Sequence, residues 1–236
     1  MKIFLASLLQ VPVLAISLAT AQADIMSVAP DEGQPDEATA VKVFFVGEVT
    51  ERKVSELISV IDRLNSEHKT LQAIYLYINS PGGDMDSAQT AYWAIKSSSI
   101  PVTAVNISTV ASVAAVMFCG AKERMAFPGT VFVLRPASVT LPEMSMQPVQ
   151  FELSRELLKS YNDVFASVYD ECSSLSAEEI AAIVESEDNR LLMRAGEARE
   201  KGIVSAETKE VIGSPLSYTI VGGDSLDFNL RLIFGN

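Results

Sequence analysis

Asn79-Ser80-Pro81-Gly82-Gly83-Asp84 and Val110-Ala111-Ser112-Val113-Ala114-Ala115 are the two pieces of the stretch from Ala73 to Arg135 on which the reading of this chain turns. The first follows Ile74-Tyr75-Leu76-Tyr77-Ile78, a β-branched and aromatic run bounded by turn formers, which predicts a buried strand. A proline and two glycines then predict a tight turn into a helix, with amides that no Cβ covers. Bare amides at a helix start favour negative charge. The second piece follows another predicted strand, Val102-Thr103-Ala104-Val105, and puts Ser112 at the start of an apolar helix ending at Gly120. Taken singly, each piece is explained by turning the chain or capping a helix. Taken together, they predict that a hydroxyl and uncovered amides meet at one end of a sheet.

Outward from there the pattern alternates. Val41 to Val46 reads as a strand, and Glu51 to Leu64 as a helix with Val54, Leu57, Ile58, Ile61 and Leu64 at helical spacing. Ala73 to Ile78, Met85 to Ile95, Val102 to Val105 and Ser112 to Cys119 continue strand, helix, strand, helix. This period implies an α/β fold of parallel strands joined by crossover helices. A further strand, Val131 to Leu134, delivers Arg135 to the sheet end expected to hold Ser112. Pro136 to Pro148 reads as a loop, and Val149 to Cys172 as one amphipathic helix of roughly 35 Å. Ser176-Ala177-Glu178-Glu179 is a capping box that starts a helix to Glu185, and Gly196 to Lys201 forms a last short one. In the tail, Leu216 to Val221 and Leu226 to Phe234 flank Gly222-Gly223-Asp224-Ser225, which predicts a β-hairpin.

The ends read differently. Lys2, the apolar run Ile3 to Leu18 and the small-residue pattern Ala21-Gln22-Ala23 predict a bacterial-type signal peptide over residues 1–23, and so a periplasmic or secreted protein. Residues 24–40 are acidic, with proline and glycine, and read as a flexible arm. The main domain is then 41–204, with 205–236 as a C-terminal extension. Cleavage after Ala23 removes one charged residue, Lys2, and takes the net charge from −12 to −13. Such a surface repels nucleic acid and anionic lipid. The two cysteines, Cys119 and Cys172, permit a disulfide in an exported chain without requiring one. Neither a metal nor a cofactor is expected.

Across Val41 to Val204 the chain resembles the proteolytic subunit of Clp protease, within the Clp/crotonase-like group. The resemblance rests on Gly47-Glu48-Val49-Thr50, Ile74 to Gly83, Ala111-Ser112, Gly120-Ala121-Lys122 and Ala195 to Val204, with Ser112 lying 29 positions after Gly83 as in the family. It implies a ClpP/crotonase-like fold of repeated β-α units, with the long helix protruding as a handle and the C-terminal hairpin as an addition. It also implies that Ser112 is the nucleophile and that the amides of Gly83 and Val113 form the oxyanion hole. The family's general base falls on Arg135, seven residues past Pro128. The orienting aspartate falls on Arg190, or with a slip on Asn189 or Asp188.

Arginine has no lone pair with which to accept the serine proton. The single histidine of the chain, His68, lies between the first helix and the Ala73 strand. In a serine hydrolase, loss of the histidine costs on the order of 10⁶ in turnover, while oxyanion hole and binding groove retain roughly 10³ to 10⁴ over water. The sequence therefore predicts a serine-peptidase homologue that is a non-catalytic subunit binding peptide or unfolded protein. It is expected in a homo-oligomeric ring or in a mixed ring with a paralogue, with no ATPase partner after export. Two alternatives stand beside it. One is an active serine endopeptidase with a non-histidine base such as Lys122; the other is a crotonase-like acyl or carboxylate binder. The arginines either form an anion pocket facing Ser112 or pair with Asp188, Glu187 or Glu197.

Overall fold

The computed structural model describes residues 25–28, 38–139 and 147–221. These form a nine-stranded sheet in the order β1-β9-β2-β3-β4-β5-β8, with β6 paired to β4 and β7 paired to β6. In chain order the strands are β1 (Ile25–Val28), β2 (Ala40–Val46), β3 (Ala73–Ser80), β4 (Val102–Ala111), β5 (Glu123–Ala126), β6 (Val131–Leu134), β7 (Leu191–Arg194), β8 (Ala206–Glu207) and β9 (Ser217–Val221). The helices are α1 (Glu51–Glu67), α2 (Met85–Lys96), α3 (Val113–Cys119), α4 (Pro148–Cys172), α5 (Ala177–Glu185) and α6 (Ala195–Glu200). All pairings except β1–β9 and β6–β7 are parallel. The sheet class therefore follows the expected β-α alternation.

β2 alternates, with Val41, Val43 and Phe45 fully buried, and Leu57, Ile61 and Leu64 of α1 close over the same core. The opposite face is covered too. Phe44 stacks on Tyr77 at 4.9 Å, and the Tyr77 hydroxyl accepts the Ile212 N–H at 3.0 Å, so the C-terminal segment lies across it. Covering both faces is what a parallel sheet requires.

β4 is ten residues long, more than twice its expected span, because it serves two neighbours in succession. Thr103 to Asn106 pair with β5, and Thr109 to Ala111 pair with β6. Fully buried Asn106 marks the change of neighbour: its amide donates to Val131 O and its carbonyl oxygen accepts the Ser108 N–H, both at 3.0 Å. The polar side chain takes up backbone groups that the interrupted ladder leaves over. Strands β5, β7 and β8 are too short and too mixed in polarity for sequence periodicity to reveal.

Two readings of the ends are corrected. The arm 24–40 is not uniformly without structure, since Ile25–Val28 forms a strand and Ala38 is buried. The tail forms a strand at Ser217–Val221, but its partners are β2 and β1. Both edges of β9 are thereby filled, so the expected hairpin pairing is replaced by longer-range ones; residues 226–234 lie outside the described residues.

α4 carries 25 residues, about 37 Å. Its buried side chains, Phe165, Val168, Tyr169 and Cys172, all lie in the C-terminal third. Val149, Phe151, Leu153 and Leu157 in the first half are exposed, which fits a helix that projects from its own domain. The rooted end is held in two ways. Glu171 takes Lys96 and the Tyr92 hydroxyl of α2, the latter at 2.7 Å, and Cys172 is disulfide-bonded to Cys119 at the end of α3.

The bridge closes a loop of 53 positions, so it removes considerable freedom from the unfolded chain. Replacing both cysteines (Cys119→Ser with Cys172→Ser) is expected to lower the unfolding free energy by roughly 2–4 kcal/mol. Denaturant midpoints under non-reducing conditions measure this, and an unchanged midpoint would show that the bridge adds no stability.

Candidate functional site

The two pieces of sequence meet at the C-terminal ends of β3 and β4. Their ladder runs to Ser80 opposite Val110, and Gly82 packs directly on Ser112. A Cβ on Gly82 would lie 3.0 Å from Ser112 Cβ and 3.1 Å from Ala111 O, and the glycine has φ +109°. Only glycine fits that contact without strain.

Ser112 sits between β4 and α3 with φ 54° and ψ −129°, and among the described residues it alone of the non-glycines has positive φ. Such backbone costs roughly 1–3 kcal/mol and persists only where the surroundings over-determine it. The Ser112 N–H donates to Val133 O at 2.8 Å, which pins the strained residue to β6. Ser112 does not cap its helix: its hydroxyl makes no capping bond, is nearly buried, and has no hydrogen-bond partner among the described residues. A strand-to-helix turn of this kind raises a hydroxyl to where a substrate atom can approach.

Gly83 pairs with Val49 in an isolated parallel bridge, where Val49 N–H donates to Gly82 O and Asp84 N–H to Val49 O, both at 2.8 Å. In that geometry the Gly83 N–H points away from Val49. Neither this amide nor that of Val113 is bonded to another described residue. Asp84 then caps α2, accepting the Ser87 N–H at 2.8 Å. Between the first turns of α1 and α2 a cleft of about 730 Å³ reaches Gly83, edged by Glu48, Glu51, Asp84 and Asp86 over Val54 and Ile58.

The turn behind Gly83 is held by a residue absent from the predicted site. Lys53 is 2% exposed; its Nζ donates to Val46 O at 2.5 Å and Glu48 O at 2.8 Å and lies 4.3 Å from the centre of the Phe45 ring. Burial lowers its pKa to about 8, against the opposing pull of Glu56 and Glu48. Its place on the inner face was legible after all, since Lys53, Leu57, Val60 and Leu64 share one helical stripe.

The structure brings Arg135 and Arg190 together, but on a carboxylate. Arg135 Nη1 and Arg190 Nη1 lie 3.9 and 3.5 Å from Glu187 Oε1. Glu187 was one of the three partners considered; Asp188 and Asn189 are exposed on the same 3₁₀ turn, Glu187–Asn189. Arg135 lies two residues beyond the carbonyl that holds Ser112, and its buried Nε has no hydrogen-bond partner among the described residues. Beneath it, Tyr169 is fully buried, and among the described residues its hydroxyl has no hydrogen-bond partner; burial drives its pKa far up, against the pull of Arg135. His68 caps α1 before β3 begins, whereas Gly82 follows the other end of that eight-residue strand, which is roughly 26 Å long. Lys122 is exposed past the far end of α3.

Residues 37–210 match the family model of Clp protease. The chain belongs to the Clp protease family. The ATP-dependent Clp protease proteolytic subunit 1 of Chlamydia caviae is 30% identical over 168 residues, covering 70% of this chain and 85% of that one. The proteolytic subunit of Arabis hirsuta is 29% identical over 167 residues, covering 69% and 82%. A mutant of ClpP1 from Listeria monocytogenes superposes with a TM-score of 0.59 at 19% identity, over 72% of this chain and 91% of that one, which establishes the shared fold. The Clp protease match takes in Gly82-Gly83, Ser112, Arg135 and Arg190 and stops before β9.

Two outcomes test the architecture of this Clp-family site. A Cβ at Gly83 would fall 2.2 Å from Val49 O, whereas none at Gly196 meets any atom within 4 Å. Gly83→Ala is therefore expected to lose more than about 3 kcal/mol of stability or fail to fold, and Gly196→Ala, in a helix, to be neutral or to gain up to about 1 kcal/mol. Urea unfolding of both variants decides it.

The second outcome concerns pH. Lys53 has a folded pKa of about 8, below its unfolded value of about 10.4. Between these the unfolded chain binds more protons, so stability from this group rises with pH across that window and is flat below it. Urea midpoints from pH 7 to pH 10 should show a rise in the native protein, worth at most about 3 kcal/mol, that Lys53→Met lacks.

Proposed function

We propose that this Clp-family protein is exported and binds peptides or unfolded polypeptide without hydrolysing them efficiently. The observation that carries this reading is the state of the two charged groups at the family's base and acid positions. Arg135 and Arg190 share Glu187, and the Ser112 hydroxyl has no base in hydrogen-bond contact among the described residues. A general base must reach the proton it abstracts, at about 3 Å or through one water. Gly83 and Val113 in the oxyanion-hole role, with Ser112 at the nucleophile position, still offer donors to a bound carbonyl.

The rival reading, an active endopeptidase with another base, finds no support in Lys122, nor in the buried Lys53. Lys122 is exposed beyond α3, and the two hydrogen bonds of Lys53 go to backbone carbonyls, that of Val46 at the end of β2 and that of Glu48 in the turn after it. A crotonase-like acyl binder lacks the basic surface that a polyphosphate tail calls for, given a net charge of −12.

Export is supported by the signal-like residues 1–23 and by the Cys119–Cys172 bridge, a bond favoured in oxidising compartments. The relatives are by name ATP-dependent. An exported member would act without ATP and hence without an ATPase partner. Self-assembly, in a ring of its own kind or mixed with a paralogue, is supported by the exposed apolar side chains on the projecting half of α4.

The test is direct. Purified protein is incubated with an unstructured fluorogenic polypeptide and, separately, with a fluorophosphonate probe. Turnover should stay at background, unchanged by Ser112→Ala, and labelling of Ser112 should remain far below stoichiometric. Turnover at ordinary protease rates that Ser112→Ala abolishes would overturn the proposal.

A further inference from the structure

We infer that the cleft between the first turns of α1 and α2 selects polypeptide segments that carry a lysine or arginine; this rests on the peptide-binding reading above and names what that protein prefers to bind. The cleft holds about 730 Å³, within the range of ligand sites, and it opens beside Gly83, whose N–H is bonded to no other described residue. Its walls are acidic on both sides. Glu48 and Glu51 stand on the α1 side, Asp84 and Asp86 on the α2 side, and all four are exposed. Its floor is apolar, formed by half-buried Ile58 and buried Val54.

Helix capping accounts for part of this pattern. Asp84 accepts the Ser87 N–H and hydroxyl at 2.8 and 2.5 Å, and acidic side chains suit a helix start. Capping does not account for Glu48, which lies in the turn before α1, or for an apolar floor left open between two acidic walls. Nor is the charge neutralised by what touches it. Asp84 and Asp86 are held by neutral donors, Asp86 by the Tyr161 hydroxyl of α4 at 3.2 Å. Among the described residues none of the four carboxylates forms an ion pair. Lys53 acts on Glu48 from behind the turn, but its ammonium hydrogen-bonds two backbone carbonyls. Four carboxylates against that one cation leave three negative charges in excess around one cleft.

The shape of the cleft says which cation fits. Among the described residues no three of these carboxylates converge closely enough to hold a metal ion. A lysine or arginine is long, with an apolar stem and a charged head, so the stem can lie on Ile58 while the head reaches either wall. The polypeptide that carries it also brings a backbone carbonyl for the Gly83 N–H, an acceptor that a free amine lacks.

The experiment uses fluorescein-labelled unstructured peptides that are identical except at two central positions, which carry arginine, its neutral isostere citrulline, or glutamate. Their binding to the full-length protein is measured by fluorescence anisotropy at low ionic strength. The arginine peptide should bind about tenfold tighter or more than the citrulline peptide, and the glutamate peptide weakest. Added salt should narrow the difference. Glu51→Gln with Asp86→Asn should bring the arginine peptide close to the affinity of the citrulline one, and Ser55→Arg, which tethers a cation in the cleft, should do the same. Glu185→Gln with Glu207→Gln, an equal change of charge on α5 and β8, should leave the preference intact. Thermal midpoints of each variant verify folding.

Equal affinity of the arginine and citrulline peptides overturns the charge inference while leaving peptide binding intact. A preference lost equally on substitution at Glu185 and Glu207 overturns the cleft as its source. An assembly that falls to monomers on Ser55→Arg, seen by sedimentation, assigns the cleft to a second copy and overturns the inference. Absence of binding by every peptide overturns the peptide-binding reading itself, and this inference with it.

Discussion

The approach of Gly82 to Ser112 is the contact on which the rest of the molecule depends. Two parallel strands can carry their terminal loops into van der Waals contact only if one loop offers no side chain, and the clearance of 3.0 Å for a missing Cβ measures how little room there is. The strained backbone of Ser112 is affordable because it is gripped from two sides, by that glycine and by the carbonyl of Val133. Behind the glycines, Val49 ties down Gly82 and Asp84, and Lys53 ties down the turn that carries Val49. A buried ammonium on two carbonyls is an electrostatic fastening with no polar contact to a ligand. Strain at the serine and support beneath it therefore form one system that runs from α1 to β6.

The chemistry of the site is decided by permanence of charge. Histidine alternates between donor and acceptor near neutral pH, and that alternation is what moves a proton off a serine. Two guanidinium groups sharing one carboxylate do not alternate. They join the 3₁₀ turn at Glu187–Asn189 to the end of β6, and the serine hydroxyl has no proton acceptor in contact among the described residues. The geometry of β3, β4 and α3 is that of the Clp protease fold, and at the end of β6 the two arginines are joined through Glu187.

How much of this could be read from the letters follows physical lines. The strands β2, β3 and β6 and the helices α1, α2 and α4 were legible because each has a long or cleanly bounded apolar pattern. Ser176-Ala177-Glu178-Glu179 announced α5, and both halves of its capping box are formed. The meeting of Gly82-Gly83 with Ser112 was legible through spacing. The positive φ at Ser112 was not, since nothing in a serine announces left-handed backbone. The choice of Glu187 among three acidic candidates depends on where one short turn places it. Lys53 was overlooked because a lysine in an amphipathic helix is ordinarily assigned to water. The partners of β9 were missed because local alternation favours a hairpin, whereas the pairing actually formed joins residues nearly two hundred positions apart.

That last pairing bears on how the protein is made. β9 lies between β1, at the start of the described chain, and β2, so two strands from the N-terminal part stay apart until residues 217–221 slot between them. During synthesis the β1 ladder cannot form until residues 217–220 have been made, and contacts of such long range close slowly. The attachment of β1 therefore hangs on β9 alone: a change that unseats residues 217–221 also releases β1, which has no other strand neighbour among the described residues.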